Sequence, residues 1–278
     1  MPAKKVSIIN MKGGVGKTTL SFNLALYLAE LKKARVLLID LDPQANATIV
    51  GVDEETLKTH LQTKKSIVDL FMSALKRYGP HSNKILTVPS LDDFIVNVYQ
   101  EPGGNGRLDL LPSQIELSLI LRGVHVGPFD LKTQIIDQAD QRYDYILVDC
   151  APTYSILTTL ALNATESVLI PVMTDSFAIY GVQLLKFILK DHKDDFGIEA
   201  KIVGLVYTMW DRALPKYQTE FSSKIATEWG QTTFQTKISR NEWYKVANGN
   251  RTTIWHSAAH KPYKDEFDAF VAEFLTKV

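Results

Sequence analysis

The sequence has 278 residues, of which 45% are apolar and 22% are charged, and its 31 basic residues balance 31 acidic ones. This composition excludes a disordered or fibrous chain and allows a large core. The neutral total does not exclude nucleic-acid binding, because the charge is unevenly spread. Residues 201–264 contain ten basic and four acidic side chains, whereas residues 265–278 contain one and four.

Cys150 is the single cysteine, which excludes an intramolecular disulfide and a cysteine-based metal site within one chain. The first residues, MPAKKVSIINMKGG, contain only a short apolar run and lack the longer apolar core of a secretory signal. No segment of the sequence approaches the roughly 18 apolar residues of a membrane span. We therefore expect a cytoplasmic protein.

Short apolar runs alternate with helical stretches along the chain. The runs predict strands at Val6–Asn10, Val36–Asp40, Tyr145–Asp149, Ser167–Val172 and Lys201–Tyr207. Helices are predicted over Thr18–Leu31, where leucines recur at helical spacing, and near residues 132–141, 154–163, 176–191 and 215–229. This alternation predicts an α/β fold with a doubly wound, mostly parallel sheet and helices on both faces. Ligands of such sheets bind at the carboxyl ends of the strands.

Residues 52–107 interrupt this alternation. They include a predicted helix at Ser66–Tyr78, apolar runs at Ile85–Val88 and Phe94–Tyr99, and a glycine-rich turn at residues 103–106. We interpret the stretch as an elaborated connection that ends at Leu108–Pro112. The sequence therefore predicts one domain over residues 1–278 with an insertion at about 52–107.

A glycine-rich loop lies between the first predicted strand and the first predicted helix. The loop consists of Lys12, Gly13, Gly14, Val15, Gly16, Lys17, Thr18 and Thr19. Glycines let successive backbone N–H groups converge on one anion, and the helix N-terminus adds partial positive charge. Lys17 would reach the β- and γ-phosphates of a nucleotide, and the Thr18 hydroxyl would ligate Mg²⁺. Met11 stands where the usual phosphate-loop pattern has glycine, so the usual pattern fails by one residue.

Lys12 is a second lysine, at the entrance of this loop. In a monomer its side chain could point away from the phosphates. Across a face-to-face dimer it could reach the partner's nucleotide and add positive charge in the transition state, as an arginine finger does in trans. The alternative is a solvated loop lysine.

The loop sequence KGGVGKTT resembles the deviant Walker A signature of the ParA/MinD family of P-loop ATPases. Further blocks are similar in order and spacing: LLIDLDPQANAT (37–48) resembles the switch I block, and YDYILVDCAPT (143–153) resembles the Walker B and switch II block. LDLLPS (108–113), IPVMTDSFAIYGVQLL (170–185), TMWDR (208–212) and ISRN (238–241) resemble later blocks. The resemblance runs from about residue 4 to the end and is weakest across residues 52–107.

The resemblance implies ATP and Mg²⁺ as cofactors and Lys12, Lys17 and Asp42 as catalytic residues. Asp42 would orient the attacking water, whereas Asp40 and Asp149 would support Mg²⁺ together with Thr18. Asp149 could instead be a helix N-cap before Pro152. Thr208 and Met209 follow a predicted strand where the family packs against adenine, although any strand end could look similar.

Members of this family have different functions, and several features of the sequence discriminate among them. One cysteine argues against a shared iron–sulfur cluster, and the acidic helix predicted over Tyr263–Val278 argues against membrane binding. Too few residues precede residue 4 for a helix-turn-helix domain, so we expect the short partition type. Such a protein would form a homodimer on ATP binding, bind DNA non-specifically at the nucleoid, and respond to a ParB-like or cargo adaptor protein. The alternatives are a MinD-like spatial regulator without DNA binding and an ATP-dependent metabolic ligase or amidase.

The basic segment 201–264 is where the resemblance places the DNA contacts. The candidates are Arg212, Lys216, Lys237, Arg240, Lys245 and Arg251. Trp243 stands where many members have a basic residue, which weakens the prediction or shifts it to neighbouring lysines. The alternative is a solvated face that happens to be basic.

Overall fold

The computed structural model describes residues 1–62, 66–71, 90–121, 131–175 and 177–278. The predicted strand Ile85–Val88 and the C-terminal part of the predicted helix Ser66–Tyr78 lie outside these residues.

Eight strands of the described residues form one sheet in the order β3-β4-β2-β5-β1-β6-β7-β8. The strands are β1 Lys4–Ile8, β2 Arg35–Leu41, β3 Val96–Gln100, β4 Arg107–Leu111, β5 Tyr145–Cys150, β6 Ser167–Met173, β7 Lys201–Trp210 and β8 Thr233–Ser239. All neighbours pair in parallel except β3, which runs antiparallel to β4 at one edge. The predicted α/β fold is therefore confirmed.

Eight helices of at least six residues lie within the described residues. They are α1 Lys17–Leu31, α2 Asn46–Gly51, α3 Glu54–Gln62, α4 Ile156–Ala164, α5 Ala178–Phe196, α6 Pro215–Trp229, α7 Trp243–Gly249 and α8 Lys261–Lys277. Shorter helical segments are Leu91–Asp93, Leu117–Ile120, Lys132–Ile136, Asp137–Ala139 and Gly230–Thr232. None of the helices in the described part of the chain is long and apolar enough to cross a membrane.

The central strands are apolar on both faces because helices cover both sides of the sheet. In β2, Leu37 and Ile39 enter one core with residues of α4 and α5, whereas Val36 and Leu38 enter the other core with residues of α1 and α8. This explains why β2 is a continuous apolar run rather than an alternating one. Cys150, at the end of β5, is buried in the first of these cores.

The acidic C-terminal helix α8 packs against β8, at the edge of the sheet opposite β3. Phe267, Phe270, Val271 and Phe274 are buried in the core that also contains residues of α1. Glu273 accepts hydrogen bonds from the backbone N–H groups of Gln235 and Thr236 in β8, at 3.0 and 3.1 Å. Because these N–H groups belong to an edge strand, the carboxylate occupies donors that another chain could otherwise pair with.

Candidate nucleotide site

The glycine-rich loop connects the carboxyl end of β1 to α1. Gly14 and Gly16 adopt φ angles of 76° and 81°, which are left-handed conformations that glycine adopts without steric cost. A Cβ atom on Gly14 would meet nothing within 4 Å, so the backbone conformation, and not crowding, is what requires glycine there. The loop therefore has the curled backbone that presents N–H groups to an anion.

Lys17 is the first residue of α1 and is buried inside this loop. Its side chain is nearly inaccessible, and its Nζ donates a hydrogen bond to the carbonyl oxygen of Lys12 at 3.1 Å. Burial lowers the pKa of Lys17, and the nearby carboxylate of Asp149 opposes this shift. The ammonium group is thus held where a phosphate would supply a stronger anionic partner.

Asp149 is the next-to-last residue of β5 and accepts hydrogen bonds from two hydroxyl groups of α1. Thr18 Oγ1 donates to Asp149 Oδ2 at 2.7 Å, and Ser21 Oγ donates to Oδ1 at 2.9 Å. These contacts place Asp149 against the phosphate loop rather than at a helix N-terminus. Ser21 is absent from the sequence-based site, but its position four residues after Lys17 puts both on one side of α1 and could have indicated it.

Asp40 lies beside Asp149 in the sheet, since β2 and β5 pair these two residues directly. It is fully buried and accepts hydrogen bonds from the N–H and hydroxyl groups of Thr48 at 2.8 and 2.7 Å. Burial, followed by the charge of Asp149, raises the pKa of Asp40 to about 7. Burial likewise raises the pKa of Asp149 to about 6. These two adjacent buried carboxyl groups therefore have too little positive charge nearby to keep their pKa values in the ordinary range.

A divalent cation fits this arrangement. Thr18 offers a hydroxyl oxygen, and the carboxylates of Asp40 and Asp149 are the oxygen ligands or water acceptors that Mg²⁺ prefers. No group of three or more His, Cys, Asp or Glu side chains positioned to hold a metal is present in the described residues.

Asp42 follows β2 and is nearly buried, at 6% exposure. Its Oδ1 accepts a hydrogen bond from the N–H of Gln44 at 2.9 Å, and its carbonyl oxygen accepts one from the hydroxyl of Ser113 at 2.8 Å. Both the backbone and the side chain of Asp42 are therefore fixed at the same sheet end as the phosphate loop.

A cavity of about 560 Å³ adjoins the loop at the carboxyl ends of β7 and β8. Gly14, Gly16, Thr208 and Met209 line it, so the structure brings the predicted adenine contacts together with the loop. Thr208 Oγ1 donates to the carbonyl oxygen of Val15 at 2.7 Å, which ties β7 to the loop. Met209 has a φ of 52°, an uncommon conformation for a residue other than glycine.

Asn241 also lines this cavity but is absent from the sequence-based site. Its Oδ1 accepts a hydrogen bond from the N–H of Trp243 at 2.9 Å. Its Nδ2 is buried and has no hydrogen-bond partner among the described residues. Because Asn241 lines the cavity and its amide donor is unsatisfied, the residue is a candidate contact for a ligand.

Lys12 turns away from the loop interior toward the end of β6. Its Nζ forms an ion pair with the carboxylate of Asp175 and lies 5.9 Å from the ring centre of Phe177. The side chain is therefore not a freely solvated loop lysine.

The six candidate DNA contacts differ in how they are held. Arg212 forms an ion pair with Glu266, and Lys245 forms one with Glu242 at 3.0 Å. Lys237 Nζ lies 3.8 Å from the ring centre of Trp210, and burial lowers its pKa. Lys216, Arg240 and Arg251 are exposed and form no ion pair within the described part of the chain.

The sheet order, the curled loop and the acids at the strand ends define a P-loop nucleotide-binding protein. A family model described as an AAA domain matches residues 3–201. The chromosome-partitioning ATPase Soj of Thermus thermophilus is 31% identical over 277 residues, which cover 99% of this chain and 96% of Soj. The chain belongs to the ParA/Soj family of P-loop ATPases, as the sequence motifs predict.

Two further proteins support this assignment. The sporulation initiation inhibitor protein Soj of Bacillus subtilis is 31% identical over 243 residues, which cover 86% of this chain and 85% of that protein. The crystal structure of a plasmid partition protein of Borrelia burgdorferi bound to AMPPNP superposes with a TM-score of 0.75 at 25% identity, covering 99% of this chain and 100% of that one. Both similarities extend beyond the phosphate loop, because they cover most of each chain.

Proposed function

We propose that this protein is an ATP-gated homodimer that binds DNA non-specifically, releases it after slow hydrolysis, and so segregates or positions a plasmid, chromosome or other cargo. The observation that carries the proposal is the second lysine, Lys12, at the entrance of a complete phosphate loop, with its ammonium group outside the loop. The names of the relatives, a chromosome-partitioning ATPase and a plasmid partition protein, support the same biological role.

The chemistry proposed is positioning and charge stabilisation rather than covalent catalysis. Lys17 and the loop N–H groups would hold the phosphates, and Thr18, Asp40 and Asp149 would hold Mg²⁺. When bound, Mg²⁺ would offset negative charge on the phosphates. Asp42 would orient the attacking water, since its carboxylate is fixed at the same end of the sheet. No separate strong base is evident in the sequence, so we expect ATP hydrolysis to be slow. A ParB-like or cargo adaptor protein would stimulate it.

DNA binding is assigned to the basic segment, with Lys216, Arg240 and Arg251 as the strongest candidates. They are exposed and unpaired by carboxylates, whereas Arg212, Lys237 and Lys245 have partners within the subunit. A duplex phosphate would compete with Glu266 for Arg212, whereas Lys216 has no ion-pair partner among the described residues that would compete with it. A protein of this kind would lie in the cytoplasm, associated with the nucleoid.

A mobility shift with non-specific duplex DNA at low salt tests the proposal. We expect a shift with ATP and Mg²⁺, and weaker binding with ADP or without nucleotide. Lys193→Ala is a control variant that should bind DNA as the wild type does. It removes an exposed lysine that pairs with Glu199 and lies outside the basic segment. Equal binding in all nucleotide states would contradict ATP gating. No binding in any state would favour the MinD-like regulator or the metabolic ligase or amidase.

Substitution of Asp42 provides a second prediction. Asp42→Ala should retain ATP but hydrolyse it at least roughly a hundredfold more slowly, because the group that orients water is lost. The variant should therefore accumulate as an ATP-bound dimer in light scattering, whereas Lys12→Ala should remain monomeric. A persistent monomer in both ATP-bound variants would argue against the face-to-face dimer.

A further inference from the structure

The carboxylate of Asp175 connects the phosphate loop to the start of α5. Its Oδ2 accepts from the ammonium group of Lys12, and its Oδ1 accepts from the N–H of Phe177 at 3.0 Å. The side chains of Lys12 and Asp175 are only 27% and 23% exposed. This ion pair is therefore partly shielded from water.

The backbone of Lys12 is fixed independently of this ion pair. Its N–H donates to Asn10 Oδ1 at 2.8 Å, and Asn10 Nδ2 donates to the carbonyl oxygen of Pro171 at 2.7 Å. Its carbonyl oxygen accepts from Lys17. Rotation of the side chain alone can thus move the ammonium group away from Asp175 while the loop keeps its conformation.

The ammonium group has three donors, so a contact with both Asp175 and the partner's phosphates would bring the carboxylate next to the negatively charged phosphates. Like charges repel, so we expect a dimer in which Lys12 crosses the interface to break two such ion pairs. The proposal below rests on the trans role of Lys12 proposed above.

We propose that Asp175 is a positioning residue that holds Lys12 within its own subunit, and that ATP-driven dimerisation exchanges this ion pair for a contact between Lys12 and the partner's nucleotide. Asp175 thereby raises the protein concentration at which the ATP-bound dimer forms. Because the same carboxylate accepts from the N–H of Phe177, the residue before α5, the exchange also removes a positive charge from beside the start of that helix.

Asp175→Asn separates these two functions of the carboxylate. The amide oxygen still accepts from the N–H of Phe177, but the charge that holds Lys12 is lost. An exposed ion pair changes an equilibrium constant by up to about fivefold. Because Asp175→Asn leaves no ion pairs to break in either subunit, its dimerisation constant should be tighter by up to about 25-fold. Glu199→Gln is the control, since it removes the same charge from an exposed pair with Lys193.

The experiment is sedimentation of the full chain over a concentration series with AMPPNP and Mg²⁺, which separates dimerisation from hydrolysis. We expect Asp175→Asn to form dimers at lower concentration than the wild type, and Asp175→Glu and Glu199→Gln to match the wild type. The double variant Lys12→Gln/Asp175→Asn should match Lys12→Gln, because the substitution at Asp175 acts only through Lys12. Melting temperatures without nucleotide identify any variant that does not fold.

Three outcomes would overturn the role of Asp175 while leaving the dimer intact. They are equal dimerisation of Asp175→Asn and wild type, weaker dimerisation of Asp175→Asn, and a gain that persists without Lys12. If the wild type and all variants remain monomeric with AMPPNP, the proposed ATP-gated dimer itself fails, and the proposed exchange fails with it.

Discussion

At the scale of single residues, the site is organised by buried polar side chains that satisfy one another. Asp149 receives hydroxyl groups from Thr18 and Ser21, and Asp40 receives both donors of Thr48. Unpaired buried carboxylates are costly, so these contacts fix the acids before any cation binds. Asn241 differs, because its amide donor remains without a partner among the described residues.

Asn241→Ser tests whether this amide donates a hydrogen bond to the nucleotide base. The serine hydroxyl can still accept from the N–H of Trp243, but the Nδ2 donor is lost. We expect about a tenfold rise in the ATP dissociation constant, the effect of a hydrogen bond worth about 1.4 kcal/mol. Inorganic tripolyphosphate, which has no base, should bind unchanged in a calorimetric titration.

Asn250→Ala is the control for this substitution, because Asn250 is exposed and follows α7. A parallel loss of ATP and tripolyphosphate binding in Asn241→Ser would show that the substitution disturbs the phosphate loop and not base contacts.

At the scale of elements, α5 contains a buried histidine. His192 is 1% exposed, and neither ring nitrogen has a hydrogen-bond partner in the described part of the chain. Its ring packs against Phe196 with the ring centres 4.9 Å apart. Burial lowers the pKa of His192, and the charge of Asp195 offsets only part of this shift. The folded protein therefore keeps this side chain neutral.

This lowered pKa predicts a loss of stability in mild acid. The unfolded chain binds a proton at His192 below about pH 6.5, whereas the folded chain resists it, so the free energy of unfolding falls as pH decreases. The slope attributable to His192 is at most about 1.4 kcal/mol per pH unit. His192→Phe should remove it, which denaturant melts at pH 5.5 and 7.5 would show as a smaller difference than in the wild type.

The exposed residue His260 provides the control, since His260→Gln should retain the wild-type pH dependence. An unchanged dependence in His192→Phe would mean that the histidine protonates in the folded state.

The elements differ in how well the sequence predicts them. The apolar runs of β2 and β5 and the helical spacing of α1 are local patterns, and the structure confirms them within one or two residues. The sequence does not predict the strand β8. Its residues, TFQTKIS, are mostly polar, and their burial depends on packing against α8. Asn241 and Asp175 are not predicted because distant parts of the chain form the cavity beside Asn241 and bring Lys12 to Asp175. The ion pair of Lys12 and Asp175 spans 163 residues.

At the scale of the whole molecule, the balance of charge is partly structural. Two acidic residues of α8 contact β8 or its neighbours. Glu273 accepts hydrogen bonds from N–H groups of β8. Glu266 accepts a hydrogen bond from the N–H of Ser239 at 3.1 Å and forms an ion pair with Arg212. The acidic tail therefore neutralises one candidate DNA contact but leaves others exposed. Net charge alone could not separate these two groups of basic residues.

Salt dependence provides the corresponding prediction for DNA binding. Each phosphate contact at Lys216, Arg240 or Arg251 that is replaced by Ala should reduce the slope of log K against log salt by about 0.9. Lys237→Ala should change the slope little, because that ammonium group is already engaged with Trp210. Fluorescence anisotropy with ATP at several salt concentrations measures both slopes. Unchanged slopes in all three exposed variants would place the DNA interface elsewhere.

The burial of Cys150 has a practical consequence for studying this molecule. Its side chain is 2% exposed, and burial raises the pKa of the thiol, so the reactive thiolate is scarce and inaccessible. The native chain should therefore be inert to maleimide reagents. A cysteine placed on the surface would then carry a fluorophore or spin probe at one defined position. Distances between subunits could be followed through the nucleotide cycle without removing any native side chain.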